Sequence, residues 1–155
     1  MTLIPPVADL ARLDLPRPYL LFLGDVTEAG YAKTAFGLRD WAREQCVGEL
    51  SLANGISVGL PKLTPAEAHA RGARSLVIGV ANVGGRILDS WLPTLLDALA
   101  AGLDIVSGMH ARLGATPDLR SQRSVIIAAS SMCGLRPAIF RSRAAVSAAV
   151  SGCLR

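Results

Sequence analysis

Cysteine, histidine and aromatic residues are all scarce in this 155-residue chain, and each scarcity removes a class of function. The three cysteines, Cys46, Cys133 and Cys153, are odd in number and far apart, which fits neither a disulfide framework nor a CxxC metal site. Cys46 is expected simply to pack. With only His69 and His110 to add, no zinc-type ligand set assembles, and no metal is expected. Aromatic residues make up 5% of the chain, and Phe140 alone stands among the arginines that follow Asp118, so the stacking platforms of single-strand nucleic-acid binding are missing. No apolar run reaches the roughly 20 residues needed to cross a bilayer, and residues 1–6 lack the basic start and apolar centre of a signal peptide. A cytoplasmic protein with neither a nucleic-acid nor a membrane partner is the expectation.

Motifs are missing as well. The Walker pattern GxxxxGK[ST] would need glycines where Thr27 and Ala32 stand, and the dinucleotide fingerprint GxGxxG is absent, which weighs against a nicotinamide-cofactor protein. Ser51, Ser57 and Ser90 have no GxSxG context, so serine hydrolysis has no support, and nothing calls for a covalently bound cofactor.

The net charge of +4 changes meaning when the chain is divided at Asp118. Up to that point ten basic residues face twelve acidic ones, leaving −2. Beyond it six arginines meet no acid at all, giving +6. The chain thus divides into a lead-in of residues 1–17, a domain of residues 18–118, and an atypical tail of residues 119–155.

What the middle segment does contain is alternation. Tyr19-Leu20-Leu21-Phe22-Leu23-Gly24 has the length and continuous apolarity of a strand buried on both faces. Residues 32–44 carry apolar side chains at near-helical spacing and predict an amphipathic helix. Residues 46–50 predict a second strand, Asn54-Gly55 a turn, and residues 56–60 a further short strand. Thr64-Pro65-Ala66-Glu67 combines a capping hydroxyl, a first-turn proline and a reciprocal glutamate, which starts a helix that Gly72 stops. His69 is expected to face solvent on that helix. Residues 75–81 predict another buried strand, Leu92, Leu95, Leu96 and Leu99 one helical face closed by Gly102, and residues 104–107 a further strand. Strands alternating with short helices predict an α/β, Rossmann-like three-layer domain with a mostly parallel sheet. It is large enough for one core.

In such a sheet ligands bind beyond the C-terminal ends of the strands, which singles out three loops. In the first, Asp25 and Thr27 precede Lys33 and Thr34 at a helix start, where free N–H groups would suit an anion; ordinary turn and first-turn roles are the alternative. The second offers Asn82, Gly84, Gly85 and Arg86, with the guanidinium suited to a carboxylate or phosphate. The third brings His110, a candidate acid or base, and Arg112. A small-molecule ligand is the expected partner.

Several segments, taken in order, resemble one family: residues 19–26, Ala32-Lys33-Thr34-Ala35-Phe36-Gly37-Leu38, Leu63-Thr64-Pro65-Ala66-Glu67-Ala68, Val77-Ile78-Gly79-Val80-Ala81-Asn82-Val83-Gly84-Gly85, Trp91-Leu92-Pro93-Thr94-Leu95 and residues 101–105. The resemblance is to the N-terminal domain of the D-glutamate N-acetyltransferase (DgcN-like) family, formerly a family of unknown function, and it runs from about Pro18 to Leu119. It implies a Rossmann-like domain followed by a larger P-loop-type C-terminal domain as its partner, and acetyl transfer from acetyl-CoA, the implied co-substrate, to D-glutamate in D-amino-acid catabolism. Such a reaction needs a general base, for which His110 is the candidate, and oxyanion-stabilising donors, for which the backbone near Gly84 and Gly85 is the candidate. Lys33, Arg86 or Arg112 would hold a carboxylate or phosphate.

The resemblance stops after Arg120. Residues 119–155 contain none of eight residue types, Asp, Glu, Lys, Asn, Thr, His, Trp and Tyr, and 20 of the 37 are Ser, Ala or Arg. Ordinary proteins mix their residues far more evenly. That composition is the look of GC-rich DNA read in a shifted frame and predicts a frameshift near Arg120. A basic tail with a strand near residues 125–129 is the alternative. On this reading the chain is truncated and inactive alone, because half a cleft between two domains rarely catalyses. A stand-alone small-molecule or nucleotide-binding module, or a homo-oligomerisation module without catalysis, is the other functional reading.

Overall fold

The computed structural model describes residues 15–109, 113, 117–120, 125–127 and 139–140. The first strand, β1 (Tyr19–Gly24), is buried along its whole length and lies between two parallel neighbours, β2 (Cys46–Ser51) and β3 (Ser75–Ile78). A strand covered on both faces and paired on both edges has no polar side to present, which is why its sequence is one unbroken apolar run. The sheet continues through β4 (Asp104–Ser107), β5 (Val125–Ile127) and β6 (Ile139–Phe140) in the order β2-β1-β3-β4-β5-β6. All pairings are parallel except that of β5 with β6.

Three helices make the early crossovers: α1 (Lys33–Trp41), α2 (Pro65–Ala70) and α3 (Leu92–Ala100). The chain leaves β1 toward β2 on one side, then returns across β1 to β3 and β4 on the other. Right-handed crossovers therefore put α1 on one face of the sheet and α2 with α3 on the opposite face. In agreement, α2 and α3 pack against each other. The core joins Leu20, Leu21, Phe22 and Leu23 to Leu76, Ile78, Leu95, Leu99 and Ile105, with Trp91 fully enclosed. The α/β, Rossmann-like expectation holds.

Local signals account for several boundaries. The Thr64 hydroxyl accepts from the Glu67 N–H, and the Glu67 carboxylate accepts from the Thr64 N–H at 2.8 Å, so the capping box forms as its four letters predict. Helix α1 is shorter than residues 32–44: the backbone leaves helical geometry at Ala42, and a 3₁₀ turn, Arg43–Gln45, leads into β2. Cys46 packs there, its thiol donating to the Ala42 carbonyl at 3.5 Å while burial pushes its pKa up. Strand β3 ends at Ile78 rather than 81: the Gly79 N–H still completes the ladder on the Phe22 carbonyl, but the Gly79 carbonyl accepts from the Ala35 N–H and the Ala81 N–H turns to the carbonyl of Tyr31. Gly79 is also where α1 rests on the sheet; a Cβ there would lie 2.5 Å from that of Ala35.

The strand expected at residues 56–60 does not form. Its donors are taken by a buried carboxylate instead: Glu49, at the centre of β2 and fully enclosed, accepts from the N–H groups of Val58 at 2.8 Å and Leu60 at 3.1 Å through Oε2. The edge of β2 is covered by a single bridge to Lys62, with the Glu49 N–H on the Pro61 carbonyl and the Leu63 N–H on that of Glu49. The short helix α4 (Pro117–Arg120) straddles the boundary drawn at Asp118, and β5 and β6 add to the sheet beyond it. Most of residues 119–155, like residues 1–14, lies outside the described residues.

Candidate functional site

The crossovers from β1 run one way along the sheet to β2 and the other way to β3, which leaves a crevice at the C-terminal ends of β1 and β3, the place where open α/β sheets receive ligands. There the structure holds a cleft of about 320 Å³. The loop after β1 supplies Asp25, Val26, Thr27, Glu28 and Tyr31 to its walls, and the loop after β3 supplies Asn82 and Val83.

Each loop is held by identifiable contacts. Gly24 ends β1 with φ +56, a left-handed conformation that glycine adopts without strain. The same residue faces the indole of Trp91, and a Cβ there would stand 2.7 to 2.9 Å from three ring atoms. Trp91 meets Phe22 edge to face, with ring centroids 5.5 Å apart, and its Nε1–H donates to Asp25 Oδ1 at 2.9 Å. One carboxylate oxygen of an otherwise exposed aspartate is thereby fixed by a tryptophan sealed in the core. Val26 is held by the Ile56 N–H, which donates to its carbonyl at 2.8 Å, and the Leu52 N–H donates to that of Gly24 at 2.7 Å. A 3₁₀ turn, Ala29–Tyr31, then carries the chain into α1.

The second loop is closed by Asn82. Its Oδ1 accepts from the Arg86 N–H at 2.9 Å, and its Nδ2 donates to the Arg86 carbonyl at 2.8 Å. Gly84 and Gly85, both at positive φ, make the turn that this clamp encloses. The 2.8 Å bond from the Ala81 N–H to the Tyr31 carbonyl ties the two loops to one another.

Of the residues nominated from sequence, Asp25, Thr27 and Asn82 line the cleft. Lys33 and Thr34 are exposed in the first turn of α1, outside its walls. Gly84, Gly85 and Arg86 shape the neighbouring turn, with Arg86 exposed. His110 and Arg112 lie outside the described residues. Sequence reasoning missed Val26, Glu28, Tyr31 and Val83 in the walls, and Trp91 behind them. The polar groups facing the cleft are thus two carboxylates and two hydroxyls, beside an amide committed to the backbone of Arg86. No lysine or arginine is among the described lining residues. Among the described residues no group of three metal-ligating side chains occurs, and no helix is long and apolar enough to cross a membrane.

Sheet order and cleft define a Rossmann-like α/β domain with an open crevice at its topological switch point. Comparison with known proteins agrees with that class. A family model described as a Rossmann-like domain of unknown function, DUF1611_N, matches residues 44–125, and the chain belongs to that family. A protein of Tritonibacter scottomollicae named D-glutamate N-acetyltransferase is 50% identical over 103 residues, which are 66% of this chain and 31% of that one. One of the same name from a Pseudoalteromonas species is 45% identical over 103 residues, 65% of this chain and 31% of its own length. The crystal structure of a DUF1611 family protein from Anabaena variabilis superposes with a TM-score of 0.54 at 28% identity, covering 68% of this chain and 34% of that one. The chain spans about a third of the length of the relatives it matches.

Proposed function

We propose that this chain is the N-terminal, Rossmann-like part of a D-glutamate N-acetyltransferase-like protein, and that the crevice between β1 and β3 forms one wall of its substrate site. The observation that carries this reading is the position of the cleft: it opens at the switch point, where the fold exposes loop ends and the sheet itself imposes no chemistry. The names of the two relatives supply the reaction. In that reaction the amine nitrogen of D-glutamate attacks the thioester carbonyl of acetyl-CoA. An N–C bond forms, the C–S bond breaks, the amine gives up a proton to a base, and coenzyme A leaves as its thiol. The remaining two-thirds of the relatives' length would supply the facing wall, so that this part alone binds without turning over.

The test is a thiol-release assay with acetyl-CoA and D-glutamate on this chain, and on the same chain joined to the C-terminal remainder of the Tritonibacter relative. Turnover is expected from the joined protein only. A joined protein that folds yet releases no thiol, with calorimetry detecting neither D-glutamate nor acetyl-CoA, would overturn the proposal. Turnover by the short chain would overturn the division of labour.

A further inference from the structure

We propose that the cleft receives the protonated amine of its ligand, and that the ligand's anionic groups lie outside its walls. The inference rests on the reading above and names which end of the substrate enters. Every uncommitted polar side chain in the walls either accepts hydrogen bonds or is able to: the second oxygen of Asp25, the carboxylate of Glu28, and the hydroxyls of Thr27 and Tyr31. Asn82 would be the natural donor to an anion, but both ends of its amide are spent on Arg86. The Glu28 carboxylate has no hydrogen bond or ion pair among the described residues, whereas that of Asp25 is held in place by the buried indole of Trp91.

A carboxylate or phosphate entering this space would meet, among the described lining residues, two negative charges and no cationic side chain. An ammonium group presents three donors and no acceptor, which complements the walls. For D-glutamate this selects the amine, the atom that must be acetylated, over its two carboxylates. It also directs the phosphates of acetyl-CoA elsewhere. Lys33, at the start of α1, and Arg86 stand two and three residues beyond Tyr31 and Val83, outside the walls, and among the described residues are the cations nearest in sequence to the lining.

Four probes separate the possibilities when backbone amide shifts are followed by ¹⁵N NMR at low salt: n-butylammonium, glutarate, D-glutamate and coenzyme A. The amine and D-glutamate are expected to shift residues 25–28, 31 and 82–83, and glutarate and coenzyme A to leave them in place. Asp25→Asn keeps an oxygen for Trp91, and Glu28→Gln keeps the shape of the wall. Each is expected to weaken amine binding by about three- to fivefold, the size of one partly exposed ion pair, and added salt should erase the difference. Glutarate or coenzyme A shifting the same amides, neutral variants binding the amine as well as the parent, or no probe shifting any cleft amide would each overturn the inference. If n-butylammonium binds and D-glutamate does not, the amine site stands and the D-glutamate reading falls. If D-glutamate and glutarate bind alike, the reverse holds.

Discussion

Replacing Gly24 by alanine tests the link between the core and the cleft at its tightest point. Two costs follow from the geometry. Holding an alanine at φ +56 costs about 1 to 2 kcal/mol, because its Cβ crowds the following carbonyl. The new methyl would also lie 2.7 Å from Trp91 Cε2, an overlap that ordinarily costs about 1 to 3 kcal/mol to relieve. The ring has little freedom to yield, being fully buried, stacked edge to face on Phe22 and bonded to Asp25. Together a loss of about 2 to 5 kcal/mol is expected, a large share of the roughly 5 to 15 kcal/mol that stabilises a typical domain. Urea unfolding followed by far-ultraviolet circular dichroism measures it. Trp91→Leu provides the control: it costs about 2 to 4 kcal/mol through the cavity it leaves, but it removes the overlap. In that background Gly24→Ala should cost only the backbone part, giving a coupling of about 1 to 3 kcal/mol in the double-mutant cycle. Equal cost in the two backgrounds, or a loss below about 0.5 kcal/mol in the parent, would refute the argument that Gly24 is small because Trp91 is there.

Two further perturbations address supports of the fold outside the cleft. Glu49→Ala leaves the N–H groups of Val58 and Leu60 buried without an acceptor, at about 1 to 3 kcal/mol each, whereas Glu49→Gln keeps an oxygen for both and should cost less than half as much. Hydrogen exchange at these two amides should accelerate at least about tenfold in the alanine variant, and unchanged protection there would count against Glu49 as the anchor of the loop. At α2, Thr64→Ala should cost about 1 kcal/mol through loss of the cap. Hydrogen bonds from the Thr64 N–H and hydroxyl hold the Glu67 carboxyl below its usual 4.5. A lowered carboxyl stabilises the fold above its unfolded pKa and stops doing so as pH falls through the folded value. The difference in melting temperature between the parent and Glu67→Gln should therefore be constant above about pH 5 and shrink below it. A difference that persists to about pH 3 would contradict the capping assignment.

How much of this was legible depended on the range of the interaction. Strands β1 and β4 and the capping box of α2 are written in contiguous residues, and their positions follow from hydrophobic run length and local hydrogen bonding alone. Residues 56–60 show the failure. Their composition suits a strand, yet their donors are claimed by Glu49, about ten positions earlier and hidden in β2, and no local pattern announces that competition. Asp25 and Thr27 were legible as cleft residues because strand ends select their loop. Glu28 and Tyr31 were not, since which way a loop side chain points depends on how the loop is pinned, here by Ile56 and Ala81.

By itself the sequence determined the class of the protein. Alternating buried strands and capped helices have one economical arrangement, a parallel sheet with right-handed crossovers, and its strand ends mark where a site belongs. Only the tertiary structure decided what the site is made of. It joined Asp25 to Trp91 across 66 residues, spent the amide of Asn82 on its own loop, and left Lys33 and Arg86 outside the walls. The physical reason is that secondary structure follows from short-range periodicity, whereas the charge of a cleft depends on which side chains from distant loops are turned inward and which are already bonded elsewhere.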